Sequence, residues 1–284
     1  MKPKSIDIET QVASALAEDL GDASDLTANL IDSSHTCRAQ LIAKGSAILC
    51  GTDWFNEAFK QIDENINIRW FKSDGESLIN NDVLCEITGR SRSVLTAERT
   101  ALNFLQTLSS VSTRTHRIKE LISAEGLKTE ILDTRKTIPN LRAAQKYAVT
   151  CGGGNNHRLG LYDQLLIKEN HIAACGSITS SIKKARIEYG DEVFVAIEVR
   201  NLVELKEALA LDVNQILLDN FNDQIIGKAI ILRDQINKNC ALEVSGNITK
   251  KNIISYAKTG IDFISLGTIT KNIKAIDFSL LIID

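Results

Sequence analysis

The spacing of apolar residues changes near Lys128. Before that point, Ile8, Val12 and Leu16 recur every fourth position and Gly21 follows as a stop, which predicts an amphipathic helix over 6–20. AQLIAKGSAILCG holds two short apolar runs split by Lys44-Gly45, as in a paired-strand unit. Residues 54–62 have helical spacing, INIRWFKSDGE is a strand entering an Asp-Gly turn, and DVLCEITG is another strand. Strands and helices mix here without a clean repeat, which predicts a small α+β layer. A long helical stretch begins near Ser93, with Leu95, Leu102, Leu105 and Leu108 on its apolar face. Ser109, Ser110 and Ser112 interrupt that face and suggest a bend, unless tertiary packing carries the helix through.

Beyond Lys128, short apolar runs alternate with helical periods: TEILDT, DQLLIKEN, FVAIEVR, QILLDN, ALEVSG and DFISLG. LVELKEALA and KKNIISYAKTG are two of the amphipathic segments between them. Alternation at intervals of roughly 20–35 residues predicts right-handed βα units and a parallel sheet. Six such runs predict an α/β barrel, closed or nearly so, where about eight strands is usual. A doubly wound open sheet competes with it, but the first strand–helix turn has no Gly-x-Gly-x-x-Gly fingerprint.

Composition narrows the class. With 284 residues, 44% hydrophobic and 24% charged, the chain can bury a large core, and the composition argues against disorder. Aromatics are 5%, so the apolar mass is Ile, Leu, Val and Ala, which suits helix-covered parallel strands. A net charge of -3 argues against a nucleic-acid or anionic-membrane surface but leaves room for a local basic pocket. No run of about 18 apolar residues occurs, so no membrane span is expected. Acids inside the apolar stretch of MKPKSIDIETQVASALAEDLG exclude a signal peptide. The six cysteines form no Cys-x-x-Cys pair, which predicts free thiols in a reducing cytoplasm.

In parallel barrels, chemistry gathers at the C-terminal strand ends. Each run here closes on a charged or small residue: Asp133-Thr134-Arg135-Lys136, Lys168-Glu169, Glu198, Asp219, Ser245-Gly246 and Leu266-Gly267. A loop can begin with a charge for no functional reason, but six such ends in succession point to one mouth. Arg135, Lys136, Arg158 and Lys168, with His157 beside them, form a cationic cluster that calls for anions. Glu198 and Asp219 can hold Mg²⁺, balance the lysines or stabilise a sugar cation. Ser245-Gly246-Asn247 and Leu266-Gly267-Thr268 are glycine turns at the position where barrels bind phosphate. Gly152-Gly153-Gly154 can press a loop against a ligand or serve as a flexible lid. His35, His116 and His171 lack metal-ligand spacing, Trp54 and Trp70 are core residues of the small domain, and Cys151 has no base at recognisable spacing.

These residues carry a resemblance. DTRKTIPNLRAAQKYAVTCGGGNNHRLGLYDQLLIKENH resembles the central signature of the quinolinate phosphoribosyltransferases. LAEDLGDASDLT and AERTALNFLQTLSSVST upstream, and IEVRN, LLDNF, LEVSGNI and GIDFISLG downstream, follow that family in order. The resemblance spans nearly the whole chain. It implies an incomplete α/β barrel of about six strands with a small N-terminal α/β sandwich domain. The expected domains are 1–112, 113–270, and a C-terminal segment 271–284 returning to the first. It implies transfer of phosphoribosyl from phosphoribosyl pyrophosphate to quinolinate, with loss of CO₂, to give nicotinate mononucleotide. It also implies Mg²⁺ as the cofactor, no organic cofactor, and a homodimer.

Carried over by position, the quinolinate pocket is similar to Arg99 from the partner subunit, Arg135, His157, Arg158 and Lys168, and Thr134 is a further substrate-binding position. Lys136, Glu198 and Asp219 match the catalytic positions on the ribose and pyrophosphate side, with Glu198 and Asp219 toward Mg²⁺. Ser245, Gly246, Asn247, Leu266, Gly267, Thr268 and Lys271 match the phosphate-binding turns. The family's His-Ser pair is here Lys271-Asn272, which keeps a cation but has no imidazole. The charges fit these substrates independently, because two carboxylates, a phosphate and a pyrophosphate require a cationic mouth. The competing functions are a same-fold transferase for another acid such as nicotinate, a Schiff-base aldolase using Lys168, and a ligand sensor that retains the fold.

Overall fold

The computed structural model describes residues 7–211 and 213–284. Its contacts divide the chain into two compact units. One contains the chain up to His116 together with Thr137–Gly153 and Ile269–Asp284. The other contains Arg117–Lys136 and Gly154–Thr268.

In the first unit, Asp7 accepts the Thr10 N–H at 3.0 Å and caps a helix over Ile8–Leu20. The expected start at Ile6 lies outside the described residues. The strands β1 (Thr36–Ala43), β2 (Ala47–Ile48), β3 (Asn67–Trp70), β4 (Ser77–Leu78) and β5 (Val83–Arg90) follow. Alternation in β1 buries Cys37, Ala39, Leu41 and Ala43 on one face. Helix Thr52–Ile62 buries Trp54, Phe55 and Phe59, and Phe55 meets Trp70 of β3 edge-on at 5.3 Å.

The two runs of AQLIAKGSAILCG enter different sheets rather than pairing with each other. β1 pairs with β5, while β2 pairs with β4. Hydroxyls of the long helix explain the departure, because they hold the backbone where β2 ends. Ile48 N–H donates to Thr113 Oγ1 at 2.8 Å, and Cys50 N–H donates to Ser109 Oγ at 3.0 Å. That helix, Ser91–Ala124, runs unbroken through its serines for the same reason. Ser109 also donates to Cys50 O at 3.1 Å, and Ser112 to Ile48 O at 2.7 Å, so the buried hydroxyls are satisfied.

The second unit carries β6 (Glu130–Leu132), β7 (Leu165–Ile167), β8 (Val195–Val199), β9 (Gln215–Asp219), β10 (Ala241–Ser245) and β11 (Phe263–Ser265). They form one six-stranded parallel sheet in the order β6-β11-β10-β9-β8-β7, the expected strand count. No ladder joins β6 to β7 among the described residues, so the barrel is incomplete. A single bridge from Leu132 to Asn155 flanks β6 on its open side. All six C-terminal ends face one edge, and Ser245 stands level with Asp219 in the register. Three of the helices between strands start on side-chain caps, at Ser177, Asn201 and Asn222; Asn201 accepts from Val203 N–H and Glu204 N–H. The last strand, β12 (Phe278–Ile282), belongs to the first unit, where it pairs antiparallel with β1. That completes a four-stranded antiparallel sheet, β12-β1-β5-β3. No described helix is long and apolar enough to cross a membrane.

Candidate active site

A cavity of about 300 Å³ opens in the second unit at the strand ends. Thr134, Arg135 and Lys136 line it from the end of β6, and His157 and Arg158 from the loop before β7. Lys168 follows β7, and Ser245 closes β10. Seven residues expected on sequence grounds are thus brought around one space.

Local bonds fix the basic residues. Asp133, fully buried at the end of β6, accepts the His157 N–H at 3.0 Å and the Asn156 amide at 2.6 Å. This ties the loop that carries His157 and Arg158 to the first strand of the sheet. The Arg158 N–H donates to His157 Nδ1 at 2.7 Å, so the ring proton sits on Nε2. Burial pulls Arg158 below the ordinary arginine value, and the Arg135 guanidinium adds to this by like-charge repulsion. Arg135 Nε is buried without a hydrogen-bond partner. Two guanidinium groups, one with an unmet donor, stand ready for an anion.

The acids lie on the next strands. Lys168 Nζ donates to Glu198 Oε2 at 2.8 Å. Asp219 is held above the usual aspartate range by burial first, then by the like charge of Glu198, with Lys168 opposing. Glu198 and Asp219 do not line the cavity themselves, but Glu198 reaches it through Lys168. Among the described residues, the group of three metal-ligating side chains is Cys50, Asp74 and Cys151, in the first unit. Cys151 therefore stands apart from the cavity lining.

The glycine turns differ in kind. Gly246 has φ +95°, and a Cβ there would strike the Asn220 side chain. Asn220 and Asn247 also have positive φ, at 57° and 50°, and the Asn247 amide donates to Asn220 Oδ1 at 3.3 Å. A Cβ at Gly267 would lie 2.9 Å from Lys136 Cδ and 3.3 Å from Thr134 Oγ1, so this glycine admits the lysine stem. Leu266 is buried and donates its N–H to Leu132 O at 3.0 Å, a structural role. Thr268 opens the helix Thr268–Lys271. Arg99 and Lys271 are exposed residues of the first unit and do not line the cavity.

The cavity also contains residues that the strand-end reading passed over: Leu166, Leu217, Ser265 and Glu243. Leu166, Leu217 and Glu243 lie within strands rather than at their ends. Glu243 had a signal, since it is a lone acid inside the apolar run ALEVSG.

Comparison with known proteins is consistent across the chain. Residues 111–281 match the model of the quinolinate phosphoribosyl transferase C-terminal domain, and residues 25–109 match its N-terminal domain. The chain is 39% identical over 263 residues to a probable nicotinate-nucleotide pyrophosphorylase [carboxylating] of Bacillus subtilis, covering 93% of this chain and 89% of that one. A counterpart from Methanocaldococcus jannaschii is 36% identical over 270 residues, covering 94% of each. The solved nicotinate-nucleotide pyrophosphorylase of Francisella tularensis superposes with a TM-score of 0.92 at 47% identity, over 97% of this chain and 95% of that one.

Proposed function

The chain belongs to the quinolinate phosphoribosyltransferase family, and on that premise we propose that it makes nicotinate mononucleotide from quinolinate and phosphoribosyl pyrophosphate for NAD biosynthesis. The observation that carries the reading is the pair Arg135 and Arg158 lining one cavity, Arg158 buried and Arg135 with its buried Nε unpaired. A pyridine dicarboxylate supplies a carboxylate for each guanidinium group of such a pair.

Arg135, Arg158 and Lys168 hold the carboxylates so that the ring nitrogen faces the anomeric carbon, which is catalysis by positioning. The nitrogen–carbon bond forms as the bond to pyrophosphate breaks, and pyrophosphate leaves with that electron pair. Lys136, whose stem passes Gly267, meets the departing charge. The bond from C2 to its carboxylate then breaks. The electron pair stays at C2 beside the positive ring nitrogen, CO₂ departs and C2 takes a proton. Glu198 and Asp219 are oxygen donors whose mutual repulsion suits a cation, so they would hold Mg²⁺ carried by the pyrophosphate. Bound there, the ion supplies charge neutralisation on the leaving group. The positive-φ turn at Asn220, Gly246 and Asn247 supports a phosphate contact.

Arg99, exposed on its helix, completes the quinolinate pocket of a partner subunit in a homodimer. Free thiols throughout support a cytoplasmic enzyme. The ion pair of Lys168 with Glu198 suits an anion contact better than a Schiff-base nucleophile. The decisive assay supplies quinolinate, phosphoribosyl pyrophosphate and Mg²⁺ and follows CO₂ and nicotinate mononucleotide. Release of both is expected, with nicotinate inert in place of quinolinate. No product, or equal turnover of nicotinate, would overturn the reading.

A further inference from the structure

Glu243 has the wrong sign for its surroundings. It lies within β10, is fully buried and lines a cavity otherwise set with cations. Oε2 accepts from the Gln215 amide of neighbouring β9 and stands 3.4 Å from His157 Nε2. Oε1 has no hydrogen-bond partner. A buried carboxylate with one bare oxygen is unfavourable, and an apolar side chain of similar size would relieve it. A site meant to receive a dicarboxylate gains nothing from a bare acid in its wall. The acid must therefore act on something already in the protein.

The arrangement of His157 shows what that is. The ring accepts the Arg158 N–H at Nδ1, which leaves the proton on Nε2, and Nε2 faces Glu243. The imidazole is thus engaged at both nitrogens, with the Arg158 backbone on one side and a carboxylate on the other. We propose that Glu243 is a positioning residue: it anchors the His157 ring, and through that ring the turn that presents the Arg158 guanidinium to the substrate. His157 then serves as a strut rather than as a hydrogen-bond donor to quinolinate. Carboxylate partners of this kind fix the tautomer and orientation of histidines in metal sites, and their loss weakens binding without touching the ligand.

The inference rests on the proposed reaction for its kinetic readout but not for its spectroscopic one. Glu243→Gln keeps an oxygen that can accept from both Gln215 and His157, whereas Glu243→Met removes it. The expected result is a rise of about tenfold in the KM for quinolinate in Glu243→Met. Its kcat and its KM for phosphoribosyl pyrophosphate should stay within about threefold of wild type, as should all three constants in Glu243→Gln. Unchanged quinolinate KM in Glu243→Met, or a parallel loss in all constants with a lowered melting temperature, would overturn the proposal. The second measurement is the ¹⁵N spectrum of His157 in the wild-type protein without substrate, where the Nε2–H tautomer is expected. A dominant Nδ1–H tautomer overturns the proposal even if Glu243→Met does not fold. If the wild-type protein fails to turn over quinolinate, the proposed function falls, while the tautomer measurement still tests the role of Glu243.

Discussion

Asp219 sits in the fold at a disadvantage to stability. Its carboxyl is raised by burial and by Glu198, so the folded chain holds the proton more tightly than the unfolded chain does. Stability is therefore lost as pH rises from the ordinary value of 3.8 through the raised folded value, and it is not regained above it. Asp219→Asn removes that penalty. The variant should melt higher than wild type at neutral pH, and the gap should close below pH 3.8, where both states of Asp219 are protonated. Melting curves across that range check the sign, and a gap that widens toward acid would contradict it. Activity should fall in the same variant, because a group kept at a cost to stability is kept for its charge. Arg158→Ala is the complementary case. It leaves a substrate carboxylate unpaired, so kcat/KM for quinolinate should drop by about a hundredfold, or about 3 kcal/mol. The strand-end charges were legible because a charge closing an apolar run is a local pattern. The link from Glu243 to His157 was not, because it joins positions far apart in sequence through ring orientation.

At the scale of elements, Gly246 and Gly267 look alike in sequence, each following an apolar run. The structure gives them different tasks. Gly246 adopts φ +95° against the Asn220 side chain, so Gly246→Ala strains both backbone and contact and should destabilise the protein by about 1–3 kcal/mol. Gly267 has an ordinary backbone, and alanine there would press on the flexible Lys136 stem instead. Gly267→Ala should melt near wild type while kcat/KM falls. Thermal melting and steady-state rates on both variants separate the two cases, and equal melting temperatures would remove the distinction. The long helix teaches the same lesson. Its serines look like an interruption when only periodicity is considered. They remain helical because Cys50 and Ile48, distant in sequence, need their hydroxyls. Period 2 and period 3.6 are local signals, and the satisfaction of buried polar groups is not.

For the whole molecule, a net charge of -3 conceals a cavity lined by Arg135, Lys136, Arg158 and Lys168, since charge totals carry no positions. The six-strand count was legible because each strand is a separate apolar run. That Thr137–Gly153 joins the first unit was not, because membership of a unit depends on contacts rather than on order along the chain. Arg99 lies in that first unit and Lys168 in the second, and the proposed homodimer makes their cooperation measurable. Arg99→Ala and Lys168→Ala homodimers should each be nearly inactive. Mixed in equal amounts and allowed to exchange, about half of the dimers carry one of each chain. If Arg99 serves the partner's cavity, each hybrid holds one site with both defects and one with neither. About a quarter of wild-type activity should then return. If both residues served the cavity of their own chain, every site in the mixture would lack one of them, and activity would stay at the level of the parent variants. Verified subunit exchange with no recovery would therefore exclude a site shared between subunits.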